Sequence, residues 1–422
     1  MQRILVVLPF YGGSLPIGRY CVEALRETGR LVDVFEAPDF FGAFSALKNL
    51  RVGTDRLEFL ENSFLQGVSQ AILAKVDAFE PDLVLCMAQA PLSRQALKRL
   101  RADKVPTAMW FMEDFRLFTY WRAFAPYYDV FAVIQKDPFL QELTAGGQPN
   151  ALYLPMAALP SLHRPLELSA AEQAEYGAEL SFLGAGYPNR QRAFARLAEL
   201  GLKFKIWGTE WEGNPRLAPL VQRQGARISP EDAARIYNAT DINLNLHSSV
   251  QAEALVAPGD FVNPRTFELA ACGVFQLTDS RSLLPELFAE DEIAQFSDFD
   301  ELTAQIRRFN AAPQERAAYA AKARARVLAE HTYARRMDTL MAFVAERIPH
   351  FGRVRKEPPW PADIPPDLKE QLQGLVRACG LPADASFEDL VTAVRTKQGR
   401  LEHLETAVLF LDEWQKLYGG KG

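Results

Sequence analysis

Asp260, Arg265 and Glu268 lie close together in the chain and could do chemistry as a group. Arg265 and Glu268 are three residues apart, so on a helix they share one face close to its N-terminus. A helix N-terminus that carries a cation and a carboxylate beside an open sheet edge suits a phosphorylated, hydroxyl-rich ligand. Backbone N–H groups and arginine take the phosphate, and the carboxylate accepts from sugar hydroxyls. Taken alone, the pair is equally well read as a surface ion pair of little value. Its surroundings favour a site. The loop Pro258-Gly259-Asp260 leads to Asn263, where the helix is expected to begin, and loops feeding a helix at a sheet edge commonly build sites.

The elements that would position these residues can be read directly. The run 263–271 is a short helix. Gly273 is its left-handed C-terminal stop, and the β-rich segment from Val274 to Leu277 is an interior strand. In open parallel sheets ligands bind beyond the carboxyl ends of strands, so residues just past other strands are candidates too. The second half of the chain supplies Gly184, Gly186, Arg190, Trp207, Gly208 and His247, and the first half supplies Gly12, Gly13, Glu113 and Asp114. All are expected to face one cleft.

Gly184-Ala185-Gly186 begins like a dinucleotide fingerprint, but Asn189 stands where its third glycine belongs. The next strand also ends at Trp207 rather than at a carboxylate, which reads against NAD. A glycine loop followed by Arg190 fits a diphosphate held by amides and one cation. His247 is either a base or a hydrogen-bonded structural residue. Trp207 either stacks on a nucleobase or fills the sheet edge. Glu113 and Asp114 are general-base candidates, one of which can equally be a helix cap. They open the aromatic segment 110–128, read as a core helix with its lid or as a platform for a sugar or lipid-linked acceptor.

The chain has 422 residues, 48% of them apolar and 24% charged, with a net charge of −6. This is the composition of a globular enzyme of at least two domains. It excludes nucleic acid as the main partner. The four cysteines lack any C-x-x-C spacing and read as reduced and buried in a cytoplasmic protein. The five histidines form no metal-ligand pattern. The N-terminal apolar run is a strand rather than a signal sequence, and no run approaches a membrane span.

Strands alternate with helices from Arg3 to about residue 160, and again from about 178 to 347. The expected architecture is α/β: an N-terminal domain over 1–160, a linker over 160–177, a second domain over 178–347 and a helical tail over 348–422. The tail begins with Pro358-Pro359-Trp360-Pro361 and reads as an appendage or an oligomerisation element.

Several of these runs together carry a resemblance. They are Phe182-Leu183-Gly184 with Arg190, Ile206-Trp207-Gly208, the run from Asp241 to Asn245, the run from Arg265 to Gly273, and Glu330-His331-Thr332-Tyr333. Over about 180–345 the chain resembles the CgeB-type (spore-maturation) glycosyltransferase-like proteins, relatives of the GT-B enzymes. The resemblance implies two Rossmann-like domains facing a central cleft, with the donor in the second and the acceptor in the first. It also implies a donor contact by a Glu-x7-Glu motif, in which Glu268 matches the second Glu and Asp260 replaces the first. Arg190 and Arg265 would stand in for the diphosphate-binding pair. The implied reaction moves a sugar from a nucleoside diphosphate sugar to a hydroxyl acceptor without a cofactor. It is expected to be metal-independent, since no Asp-x-Asp is expected at a strand end. The alternatives are a sugar-nucleotide epimerase of the same fold and a non-catalytic nucleotide- or partner-binding protein.

Overall fold

The computed structural model of the chain describes residues 2–253, 255–256, 259–349, 351, 364–397 and 399–418. Pro258 and the Pro358-Pro359-Trp360-Pro361 run lie outside them. The chain divides into two compact units, Met1–Trp110 with Phe124–Phe131 and Ala342–Gly422, and Phe111–Ala123 with Ala132–Met341.

The first half of the chain runs β1 (Arg3–Val7), α1 (Ser14–Glu27), β2 (Leu31–Phe35), α2 (Pro38–Lys48), α3 (Thr54–Phe79), β3 (Leu83–Met87), α4 (Arg94–Ala102), β4 (Thr107–Phe111), α5 (Trp121–Phe124), β5 (Val130–Val133), α6 (Phe139–Ala145) and β6 (Ala151–Tyr153). Its six-stranded sheet has the order β2-β1-β3-β4-β5-β6. Here β1 is parallel to β2 and β3, and β3 is parallel to β4. Every residue of β1, β3 and β4 is buried. Continuous apolar runs of this kind belong to parallel strands covered on both faces.

The second half runs α7 (Ala170–Tyr176), β7 (Ala178–Leu183), α8 (Pro188–Leu197), β8 (Phe204–Trp207), α9 (Pro230–Asn238), β9 (Thr240–Asn245), α10 (Pro264–Cys272), β10 (Gln276–Asp279), β11 (Ala294–Phe296), α11 (Phe299–Asn310), α12 (Pro313–Glu330) and α13 (Tyr333–Arg347). Its five strands are all parallel, in the order β11-β10-β9-β7-β8. Phe182, Ile206, Ile242, Leu244 and Leu277 from the sheet pack with Phe194, Leu197, Ile306 and Phe309 from the covering helices.

Three expectations are corrected. The expected linker contains α7, fixed by a capping box in which Ser169 and Glu172 bond reciprocally and anchored by the buried Tyr176. By sequence, the run from Gln224 to Ile228 reads as one of the alternating strands of the second half, but it does not form one. Arg223 and Gln224 adopt φ of 47° and 54°, in the left-handed region that no strand tolerates. Most of the aromatic segment 110–128 is irregular, and its only α-helix is the four-residue α5.

The tail forms α14 (Pro366–Ala378), α15 (Phe387–Thr396) and α16 (His403–Tyr418). Leu390, Val391 and Val394 of α15 are buried, and Asp389 and Glu388 lie 3.8 and 3.7 Å from the buried Arg3 guanidinium. Helix α15 thus packs beside the start of β1, and α16 packs on α15. Among the described residues, no helix is long and apolar enough to cross a membrane.

Candidate functional site

The strand order of the second sheet reverses between β7 and β9, and ligands of such sheets bind outside the carboxyl ends at that switch. The loop after β7, Gly184 to Tyr187, opens there and leads into α8. Its glycines are required by close approach to the loop after β8. A Cβ on Gly186 would stand 1.9 Å from the Glu210 carbonyl oxygen, and one on Gly208 would stand 2.6 Å from that of Gly184. Gly208 also adopts φ of 111°. The Gly186 N–H donates to Thr209 O at 2.9 Å, and Trp211 Nε1 donates to Gly184 O at 2.9 Å.

Asn189 and Arg190 bind this loop to the end of β9. Asn189, at the place of the missing third glycine, donates to His247 O and accepts from the Ser249 N–H, both at 3.0 Å. Arg190 Nε donates to Leu246 O at 3.0 Å and Nη1 to Ala185 O at 2.9 Å. Burial pushes the Arg190 guanidinium down to about 9, helped by the neighbouring Arg265 cation. Much of the hydrogen-bonding capacity of Arg190 is therefore spent on the scaffold. Its contribution to the site is positive charge beside the glycine loop.

Arg265, in the first turn of α10, faces that loop. Its Nη1 lies 3.4 Å from where a Cβ on Gly184 would be, and its guanidinium centre lies 5.8 Å from the Phe182 ring. The Arg190 guanidinium lies 4.9 Å from the same ring. Two cations thus converge on one glycine loop, and among the described residues no carboxylate forms an ion pair with either. Arg265 and Glu268 are joined indirectly. Arg265 Nε donates to the Tyr237 hydroxyl at 3.3 Å, which donates in turn to Glu268 Oε2 at 3.1 Å.

His247 has both ring nitrogens engaged. Nδ1 donates to Asp279 Oδ1 at 2.7 Å, and Nε2 accepts from the Asn263 N–H at 2.9 Å. A fully buried imidazole in that arrangement is a neutral bracket between β9, β10 and α10, with no nitrogen left for proton transfer. Asn263 is likewise committed. Its Oδ1 caps α10 by accepting from the Thr266 N–H at 3.1 Å, and its Nδ2 donates to Asn245 at 2.8 Å. The Asp260 carboxylate accepts from Gln135 Nε2 at 2.9 Å and the Lys136 N–H at 3.0 Å, and so ties down the end of β5. Trp207 is buried against Tyr176, Ile236 and Ala239 and fills the core rather than offering a stacking face. Asp114 Oδ1 accepts from the Arg116 N–H at 2.8 Å and stabilises a turn, while its charge acts on Arg281 together with those of Asp279 and Asp260. Glu113 is half-buried beside it. Gly12 and Gly13 precede α1 in the first unit, with open space at both Cα atoms.

Sequence reasoning did not single out Tyr237 or Asp279 as site residues. A carboxylate at the carboxyl end of β10 was a usable signal for Asp279, whereas nothing local marks Tyr237. It also overlooked an Asp-x-Asp: Asp298-Phe299-Asp300 follows β11, on exposed surface, and Asp298 caps α11 by accepting from the Glu301 N–H at 2.8 Å.

The buried histidines predict a pH dependence. Burial pushes His247 below its ordinary value. His331, buried and beside Arg336, is pushed down to about 4. A group whose folded pKa is lowered gives up protons on folding. The stability it confers is complete above about pH 6.5 and is lost as pH falls toward the folded value. We expect the melting temperature to fall from about pH 6.5 downward, with each histidine costing up to about 1.4 kcal/mol per pH unit. A melting temperature constant between pH 7 and pH 5 contradicts this.

Comparison with known proteins agrees with the fold. Residues 190–342 match the model of a glycosyl transferase-like family. Sucrose-phosphate synthase from Thermosynechococcus elongatus superposes with a TM-score of 0.58 at 15% identity, covering 82% of this chain and all of that one. Anabaena HepE, solved with UDP and glucose, superposes with a TM-score of 0.56 at 13% identity, covering 82% of this chain and all of that one. The fold is the GT-B glycosyltransferase fold, with a C-terminal set of helices added. By sequence the chain is similar to spore protein CgeB of Bacillus subtilis (strain 168), at 26% identity over 265 residues, 58% of this chain and 77% of that protein. The family match and the fold together support glycosyl transfer as the general activity.

Proposed function

We propose that the protein transfers a sugar from a nucleoside diphosphate sugar to a hydroxyl acceptor, with the diphosphate at the β7–β9 switch and no bound metal or cofactor. The observation that carries this reading is the pair of guanidiniums, Arg190 and Arg265, at the Gly184–Gly186 loop beside the Glu268 carboxylate. Arg265 takes the phosphates, reinforced by the charge of Arg190, and Glu268 accepts from ribose or sugar hydroxyls. Cations held in place before the reaction stabilise the charge that develops on the departing diphosphate, in the manner of an oxyanion hole. They supply the role that a divalent ion plays elsewhere. Asp114 and Glu113 remain the candidates for activating the acceptor hydroxyl.

The test is donor hydrolysis and transfer with UDP-, GDP- and dTDP-sugars, after a thermal-shift screen of UDP, GDP, dTDP and CMP. At least one diphosphate is expected to raise the melting temperature, and turnover of its sugar is expected to persist in EDTA. Turnover abolished by EDTA and restored by Mn²⁺ would exclude metal independence.

A further inference from the structure

Tyr237 lies near the end of α9, with its ring buried against Leu269 and Cys272 of α10. Its hydroxyl is both acceptor and donor in one directed chain, from Arg265 Nε at 3.3 Å and to Glu268 Oε2 at 3.1 Å. Burial, reinforced by Glu268, pushes the phenol pKa up, so the proton that Glu268 accepts stays on the oxygen at all ordinary pH. Arg265 and Glu268 make no direct ion pair even though they are three apart on one helix, a spacing that normally permits one. A neutral hydroxyl occupies the place where they would meet.

We propose that Tyr237 is a positioning residue of the donor site, whose hydroxyl keeps Arg265 and Glu268 from pairing with each other. The consequence is geometric. With Nε anchored on Tyr237, the guanidinium presents Nη1 toward the glycine loop, where a diphosphate would lie. Glu268, bonded through a single oxygen, keeps its other oxygen for a ligand hydroxyl. Without the hydroxyl, the cation and the carboxylate satisfy each other, and both are withdrawn from the ligand. This inference rests on the reading of the site given above.

The experiment uses the full-length protein, with UDP and inorganic pyrophosphate as probes in calorimetric titrations. Pyrophosphate engages the cations but has no hydroxyls for Glu268. Tyr237→Phe keeps the buried ring and is expected to weaken pyrophosphate and UDP by about tenfold each, one decade being about 1.4 kcal/mol. In Tyr237→Phe/Glu268→Gln the competing carboxylate is gone. Pyrophosphate affinity should then return to within about threefold of wild type, whereas UDP affinity stays low. A merely structural role for Tyr237 predicts no such recovery, because the double variant would bind pyrophosphate no better than the single one. Wild-type-like binding of both probes by Tyr237→Phe, or no recovery in the double variant, overturns the inference and leaves the donor-site reading intact. A wild-type protein that binds neither probe overturns both.

Discussion

Replacing Arg265 with alanine is expected to lower the affinity for a nucleoside diphosphate by at least about a hundredfold while leaving the fold in place. The guanidinium has one nitrogen tied to Tyr237 and the Nη1 edge turned to the glycine loop. Two charge-assisted hydrogen bonds to phosphate at about 1.5–3 kcal/mol each give roughly 3–6 kcal/mol, and a hundredfold corresponds to about 2.7 kcal/mol. Within the protein Arg265 makes one long hydrogen bond and has no ion-pair partner among the described residues. The melting temperature should therefore change by no more than a few degrees. Glu268→Gln keeps the volume and loses the charge, and the same reasoning gives a loss of roughly ten- to a hundredfold in donor affinity or kcat/KM. Titration of UDP against both variants, with melting curves alongside, provides the check. Unchanged UDP binding in Arg265→Ala removes this arginine from the site.

Asp279→Ala is expected to have the opposite signature, a large loss of stability. The Asp279 carboxylate is completely buried at the end of β10. One oxygen accepts from the His247 N–H at 2.9 Å and from Nδ1 at 2.7 Å, and the other lies 3.6 Å from the buried Arg281 guanidinium. Removing one member of such a set leaves the others buried and uncompensated, at a cost of about 3–5 kcal/mol. At roughly 2–4 °C per kcal/mol the melting temperature should drop by about 6–20 °C. The effect extends to the site. His247 Nε2 receives the Asn263 N–H, so losing the carboxylate that fixes its tautomer loosens the cap of α10, which carries Arg265 and Glu268. Asp279→Asn preserves shape and one acceptor and should cost less. A change under about 2 °C in Asp279→Ala contradicts this account of the strand end.

What the sequence determined by itself is the part governed by local periodicity. Continuous apolar runs such as Ile4-Leu5-Val6-Val7 and Leu83–Met87 fix buried parallel strands, because in so short a segment only a strand covered on both faces hides every side chain. Gly273, with φ of 69°, closes α10 as its position requires. The glycine loop and Arg265 near a helix N-terminus were likewise legible as residue types at a spacing.

The tertiary structure decided how each polar side chain is used. Arg190, His247, Asp260 and Asn263 have the composition of ligand-binding groups, yet their bonds go to Leu246 O, Asp279, Gln135 and Thr266. A buried polar group must be paired, and whether it is paired within the protein or with a ligand depends on neighbours distant in sequence. Tyr237 shows the converse. Its hydroxyl gains significance only because α9 and α10 lie side by side, placing it between Arg265 and Glu268, 28 and 31 residues further along the chain. Periodicity carries no information about such pairs, since the packing of one helix against another sets them.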